Sequence, residues 1–153
     1  MELKQTHLIL QEELEQLRQR IIDNMRAAGE VATGKTIASM QVYVDGGYGV
    51  LEARPYFAAL ETGSRPWRNA QNMVRVPRKF ADIIGEWIEA KSLNLNKWAV
   101  AYKIIHEGTA LYRQGGRNDI FSNEIPKTIE SLGERLMVIY SVQINEQLNT
   151  ILQ

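Results

Sequence analysis

Cysteine is absent from the chain, and that one absence removes disulfides, thiolate catalysis and thiolate metal sites. It also fits a reducing compartment, or a setting in which stability must not depend on redox state. Histidine is nearly as scarce. His7 and His106 are the only two, and neither a carboxylate pair, a Ser–His–Asp pattern nor a histidine-based metal cluster accompanies them. Excess charge is missing as well: eighteen basic residues balance eighteen acidic ones, so no whole-molecule field draws the chain to nucleic acid, although a local patch stays open. No apolar run approaches the roughly 18 residues needed to cross a bilayer, and no basic-then-apolar leader is found. The expectation is a soluble protein without a membrane partner. What is present is ordinary for a globular chain: 153 residues, 44% hydrophobic and 24% charged, enough for a single domain over 1–153 with a real core.

The chain divides into an N-terminal helix (1–28), a sheet and loop (39–76) and a helical half (77–153). Leu3, His7, Leu10, Leu14, Leu17, Ile21, Asn24 and Ala28 recur at alternating spacings of four and three, the pattern of an apolar helical seam. Ile9, Ile22 and Met25 widen it, while Glu12, Glu13, Glu15, Arg18 and Arg20 read as a solvated face. A helix this long is a candidate for contacts with another subunit. Gly29-Glu-Val-Ala-Thr-Gly-Lys-Thr36 then matches the phosphate-loop pattern G-x-x-x-x-G-K-[ST]. That chemistry needs a strand feeding in and a helix leading out, so that amides converge on phosphate. Here an amphipathic helix precedes, and Ile37 to Asp45 reads as a strand, so the plainer reading is a helix cap at Gly29 and a linker.

Met40, Val42 and Val44 alternate with polar neighbours, Asp45-Gly46-Gly47 supplies a turn, and Tyr48, Val50 and Leu51 return. Two strands alone are marginal, so Met73–Val76 is the expected third strand. Between them, Arg54 to Pro66 changes the chain from sheet to helix. Tyr56, Phe57 and Leu60 bring apolar bulk, Glu61 stands in a greasy segment, and Gly63 permits a positive φ. Two readings hold for this corner: a buried crossover, or a recognition corner whose carboxylate a neighbouring arginine keeps charged. From Thr62 through Ala81 the basic residues Arg65, Arg68, Arg75, Arg78 and Lys79 appear without one Asp or Glu. This is either an arm that faces DNA or an acidic protein surface, or an exposed loop whose arginines pair with acids elsewhere. Pro77 opens a helix with Phe80, Ile83, Ile84, Trp87 and Ile88 as its core face. Asn94 or Asn96 caps the next helix, which Gly108 ends after His106. Leu111 to Asp119 reads as a mobile loop, and Asn123 to Leu152 as a closing helix with an Ile125, Ile129, Leu132, Leu136, Ile139 stripe, continued by Ile144, Leu148 and Ile151. The fold class is α+β: a small antiparallel sheet of three to four strands packed on helices, with long N- and C-terminal helices.

The order of Leu60-Glu61-Thr62-Gly63-Ser64, the Trp87-Ile88 and Lys91 helix, and Ile105-His106-Glu107-Gly108-Thr109 resembles the head–tail joining and tail-completion proteins of tailed bacteriophages. Phe121 and the helix after it match that family's aromatic-plus-acidic cluster and closing helix. Thr62 stands where the family usually has an aromatic, and Ser64 where it has threonine. Thr33-Gly34-Lys35 resembles a segment that precedes the family's first strand. The resemblance implies a structural virion protein without catalysis or cofactor, forming a sixfold or twelvefold ring of copies at the neck or tail top. Its implied partners are itself, the adjacent connector and tail-tube or tail-terminator proteins, and the DNA in the channel. Its implied place is the virion's head–tail interface after assembly in the bacterial cytoplasm. A phosphate-loop nucleotide-binding protein (Gly29–Thr36) or a small DNA-binding module is the alternative.

Overall fold

Nothing in Glu2–Ala27 interrupts a helix: the stretch holds neither glycine nor proline, and it forms the first helix, α1. The structure is a computed structural model that describes residues 2–151, with side chains from Lys4 onward. Leu3 as a seam residue and Leu152 as the end of the last helix therefore lie outside what is described. At about 1.5 Å per residue, α1 is roughly 39 Å long. It stops at Gly29, whose φ of 69° lets Glu30 N–H reach Met25 O and Gly29 N–H reach Arg26 O. Those two bonds make a Schellman cap, the end that a left-handed glycine permits. A single helical turn, α2 (Lys35–Ala38), follows where the sequence suggested the start of a strand.

The hairpin pairs β1 (Gln41–Asp45) with β2 (Tyr48–Glu52), from Gln41 opposite Glu52 to Asp45 opposite Tyr48. Gly46 and Gly47 both have positive φ, which suits a two-residue turn whose twist matches the strands. Val42, Val44 and Leu51 face inward; Tyr43, Tyr48 and Val50 face out. The inner face lies so close on α1 that a Cβ at Gly49 would meet Leu14 Cδ1 at 2.4 Å.

The expected third strand does not form. Among the described residues the sheet has two strands, and Met73–Val76 makes no ladder with either edge. The reason lies just upstream. Ala70 is buried in a 3-10 turn (Ala70–Asn72), Trp67 N–H donates to Ile105 O, and the Trp67 ring packs on Phe80 with centroids 5.1 Å apart. The loop is thus fastened to the helical half, and Val74 projects with 92% of its surface exposed.

Leu17, Ile21, Ile22 and Met25 of α1, Met40 before β1 and Ile120 form the buried core, with Leu51, Phe57, Leu60 and Phe121 packed around them. A short helix, α3 (Ala59–Thr62), leads into the glycine corner. α4 (Arg78–Ala90) and α5 (Lys97–Glu107) pack as a pair around Ala81, Ile88, Ala101 and Ile105. Asn96 caps α5 through its Oδ1, which accepts from Trp98 and Ala99 N–H. The segment expected to be a mobile loop contains a further turn of helix, α6 (Ala110–Arg113), capped by the Thr109 hydroxyl.

The closing helix α7 (Glu124–Ile151) packs on α1 as expected, with a face that overlaps the expected one only in part. Asn24 donates to Ile120 O; Arg20 meets Glu124 and Thr128; Glu13 accepts from Ser131 and Arg135. Partners descend α1 as they ascend α7, so the helices are antiparallel and their seam is polar. Glu13, read as solvated, is almost fully buried, because Ser131 and Arg135 satisfy its Oε1 and replace water. Of the stripe read at Ile125, Ile129, Leu132, Leu136 and Ile139, the first two point into solvent, while Leu132, Leu136 and Ile139 are half-buried. The mixed helix-and-sheet class stands, with helix predominating at 61%.

Candidate functional site

Two short motifs, 45 residues apart in sequence, meet at one point. α3 ends at Gly63 and α5 ends at Gly108, and both glycines adopt nearly the same conformation, φ 68° and 78° with ψ 178°. Their next residues bond reciprocally: Ser64 N–H donates to Thr109 Oγ1 at 2.9 Å, and Thr109 N–H donates to Ser64 O at 2.9 Å. A Cβ at Gly63 would stand 2.4 Å from Tyr112 N, and one at Gly108 would stand 2.7 Å from Ser64 O. Glycine is therefore required twice over, by φ and by the approach of the facing backbone.

Glu61 is the other half of the corner. Its side chain is buried, the residue being 3% exposed, and Oε1 accepts from three successive backbone N–H groups, of Ile120 (2.9 Å), Phe121 (2.7 Å) and Ser122 (2.9 Å). The Ser122 hydroxyl donates to Oε2, and Arg117 N–H donates to Glu61 O. Desolvation acts to raise the Glu61 pKa. The Ser122 hydroxyl and the Ser122, Phe121 and Ile120 amides together outweigh it and hold the carboxyl below its ordinary range. The expected arginine partner is not what keeps Glu61 charged. Arg117, whose N–H donates to Glu61 O, turns its guanidinium to Asp119 at 2.6 Å and Glu30 at 3.3 Å. Backbone amides do the work because residues 120–122 turn just before α7, leaving their N–H groups without helical partners.

The remaining expected site residues scatter. Tyr56 is half exposed rather than core, its hydroxyl accepting from Arg54 at 2.6 Å, while Phe57 and Leu60 take the buried positions. Trp87 is 39% exposed rather than buried; with Tyr56, Phe80 and Ile83 it borders a cleft of about 630 Å³ whose other wall is Glu30–Ile37. That wall contains the phosphate-loop match. Its backbone is a helix cap and a four-residue turn, with no strand feeding in, and the Lys35 ammonium is paired with Glu86 at 2.8 Å. The loop therefore lacks the converging amides that phosphate binding requires. The histidines are apart: His7 is exposed on α1, and His106 stacks on Tyr102 at 4.1 Å. Among the described residues no group of three His, Asp or Glu is arranged to hold a metal ion, and no helix is long and apolar enough to cross a membrane.

Arg65, Arg68, Arg75, Arg78 and Lys79 are all exposed, and among the described residues none forms an ion pair. Arg78 nevertheless lies near enough to Asp82 to help hold that carboxyl below its ordinary range, after the larger effect of the Lys97 hydrogen bond. Two apolar surfaces also stand open. One is on the α4–α5 pair, with Ile83 and Trp87 on α4 and, as a separate exposed pair, Trp98 and Tyr102 on α5; the other is on α7, with Ile129, Met137, Tyr140, Ile144 and Leu148. They belong to different packing units, since α4 packs on α5 and α7 packs on α1.

Comparison of the chain with protein-family models, with curated proteins and with solved structures finds no match. Sequence reasoning missed Ser122 and Arg117 as partners of Glu61, and Glu13 as a buried group. The first two lie about 60 residues from Glu61, beyond any local pattern. Glu13 carried a faint signal: it sits between Leu10 and Leu17, inside the apolar seam.

Proposed function

We propose that this chain is a structural subunit that closes into a ring of identical copies at the head–tail junction of a tailed phage, without catalysis. The observation that carries the reading is the pair of open apolar surfaces, one on α4–α5 and one on α7. A ring needs a heterologous interface, in which one patch meets a different patch on the next copy, and two unlike surfaces on one protomer supply that. A self-matching dimer needs only one. Apolar side chains left open over this much of a small chain mark an interaction site rather than a solvent face. The hairpin adds to it: each strand keeps one unpaired edge, and a neighbour's strand added there extends the sheet to the three or four expected of the class.

The resemblance to head–tail joining and tail-completion proteins gains a physical basis at the corner, where the Glu61-Thr62-Gly63-Ser64 and Gly108-Thr109 motifs are one hydrogen-bonded unit. In this reading those residues do not touch a ligand. They hold the sheet, the α4–α5 pair and the start of α7 in a fixed relation, which an assembling subunit needs if copies are to fit. The neighbours are the connector above and tail proteins below, with DNA in the lumen. Electron microscopy of the purified protein, alone and with connector or tail particles, tests the proposal. Rings are expected, of sixfold or twelvefold symmetry. A protein that stays monomeric in both settings, on particles that join equally well without it, overturns it.

A further inference from the structure

We infer that the basic arm is built to lie on α7 of the adjacent copy, and not on DNA; this rests on the ring reading and names the contact that closes it. With eighteen charges of each sign and five cations in the arm, the rest of the chain is five acids in excess. The acid that bears on assembly is on α7. Glu130 and Glu134 are exposed, are one turn apart, and form no ion pair among the described residues. Like charges at that spacing repel, so the helix carries a local cost that arriving cations remove.

The same face has the apolar content to match. Ile129 is 64% exposed and Met137 73% exposed, with Tyr140 and Ile144 a turn and two turns further on. Gly133 sits between Ile129 and Met137. A Cβ there would meet nothing within 4 Å, so no contact inside the chain requires glycine, although a helix interior disfavours it against alanine. A bare patch of backbone at the middle of an open face lets a partner approach closely. Gly133 stands about 200° round the helix from Ser131, so α1 does not compete for it.

The arm is shaped for such a face. It is fastened by Trp67 on Phe80 and by buried Ala70, so little order is lost on docking. It projects apolar Val74 with 92% of its surface exposed, flanked by Arg75 and with Arg68 before it. A phosphate backbone has no use for a projecting valine, whereas a helix with a glycine between apolar residues and a glutamate pair does. Val74 at Gly133 with arginines on Glu130 and Glu134 uses unlike surfaces on the two copies, as ring closure requires.

The test is sedimentation velocity on the full-length protein, alone and with connector particles. R68E/R75E and E130K/E134K should each weaken self-association roughly tenfold or more, and the four changes together should restore it. Gly133→Gln should weaken it as much while leaving the helical circular dichroism intact, so loss of association cannot be laid to misfolding. Four-fold reversal as weak as either pair overturns the inference. Unchanged association of R68E/R75E, with loss of retention on duplex DNA, assigns the arm to DNA and overturns the inference while the ring reading stands. A wild-type chain that never associates removes both.

Discussion

Glu61 shows how a single carboxylate can substitute for a stretch of secondary structure. Three N–H groups that precede α7 have no helical acceptors, and one buried oxygen collects all of them. Removing its charge should therefore cost more than one hydrogen bond. Glu61→Gln is expected to destabilise the fold by about 2 kcal/mol or more, measured by chemical denaturation, because charge-assisted bonds weaken and an amide group must face the Ser122 hydroxyl. The pH dependence has a definite sign. The Glu61 pKa is lowered in the folded chain, so its contribution is complete above the unfolded carboxylate value of 4.5 and is lost as pH falls through the folded value. Wild type should lose stability down that limb faster than Glu61→Gln, and parallel acid limbs would remove Glu61 from the account. Gly108→Ala tests the other half of the corner. It meets both a positive φ and Ser64 O, and is expected to cost about 1–3 kcal/mol or more with loss of the native near-ultraviolet signal.

At the scale of elements, the α1–α7 seam is polar where apolar packing would be ordinary. Glu13→Ala leaves Arg135 with Glu12 alone, and Arg135 is exposed enough for water to take up part of the loss, so about 1–2 kcal/mol is expected by denaturation. A Glu13–Arg135 double-mutant cycle isolates the pair; no coupling in that cycle would show that the seam is only solvated. The elements themselves were legible in the sequence wherever the cause was local. The period of α1, the double glycine of the hairpin, Pro77 before α4, Asn96 on α5 and Gly108 after it all acted within a few residues of where they were read. What failed was assignment of faces and partners. α7 carries apolar residues on one side and Glu124, Thr128, Ser131 and Arg135 on another, and periodicity marks the apolar side as the buried one. In the folded chain the polar side is covered together with the adjoining Leu132, Leu136 and Ile139, because α1 offers Arg20 and Glu13 at matching intervals, and only Ile125 and Ile129 of the stripe are left outside. Met73–Val76 has strand composition, but Trp67 and Ala70 hold it against α5, out of reach of the sheet. The Glu61 partners were invisible for the same reason: nothing near residue 61 announces residues 120–122.

For the whole molecule, neutrality conceals a separation of charge, a basic arm against an acid-rich remainder. Association driven in part by that separation should weaken as salt is raised, because exposed charges are screened over about 10 Å at 0.1 M ionic strength. Sedimentation across a salt series reads this directly, and salt-independent association would leave only the apolar surfaces as its cause. The antiparallel seam has one more result, for synthesis. Arg135 lies 122 positions after Glu13, so more than a hundred further residues must leave the ribosome before α1 can meet its neighbour α7. Until then that helix is a half-clad rod, with Glu13 and Arg20 facing water in place of the side chains that will cover them.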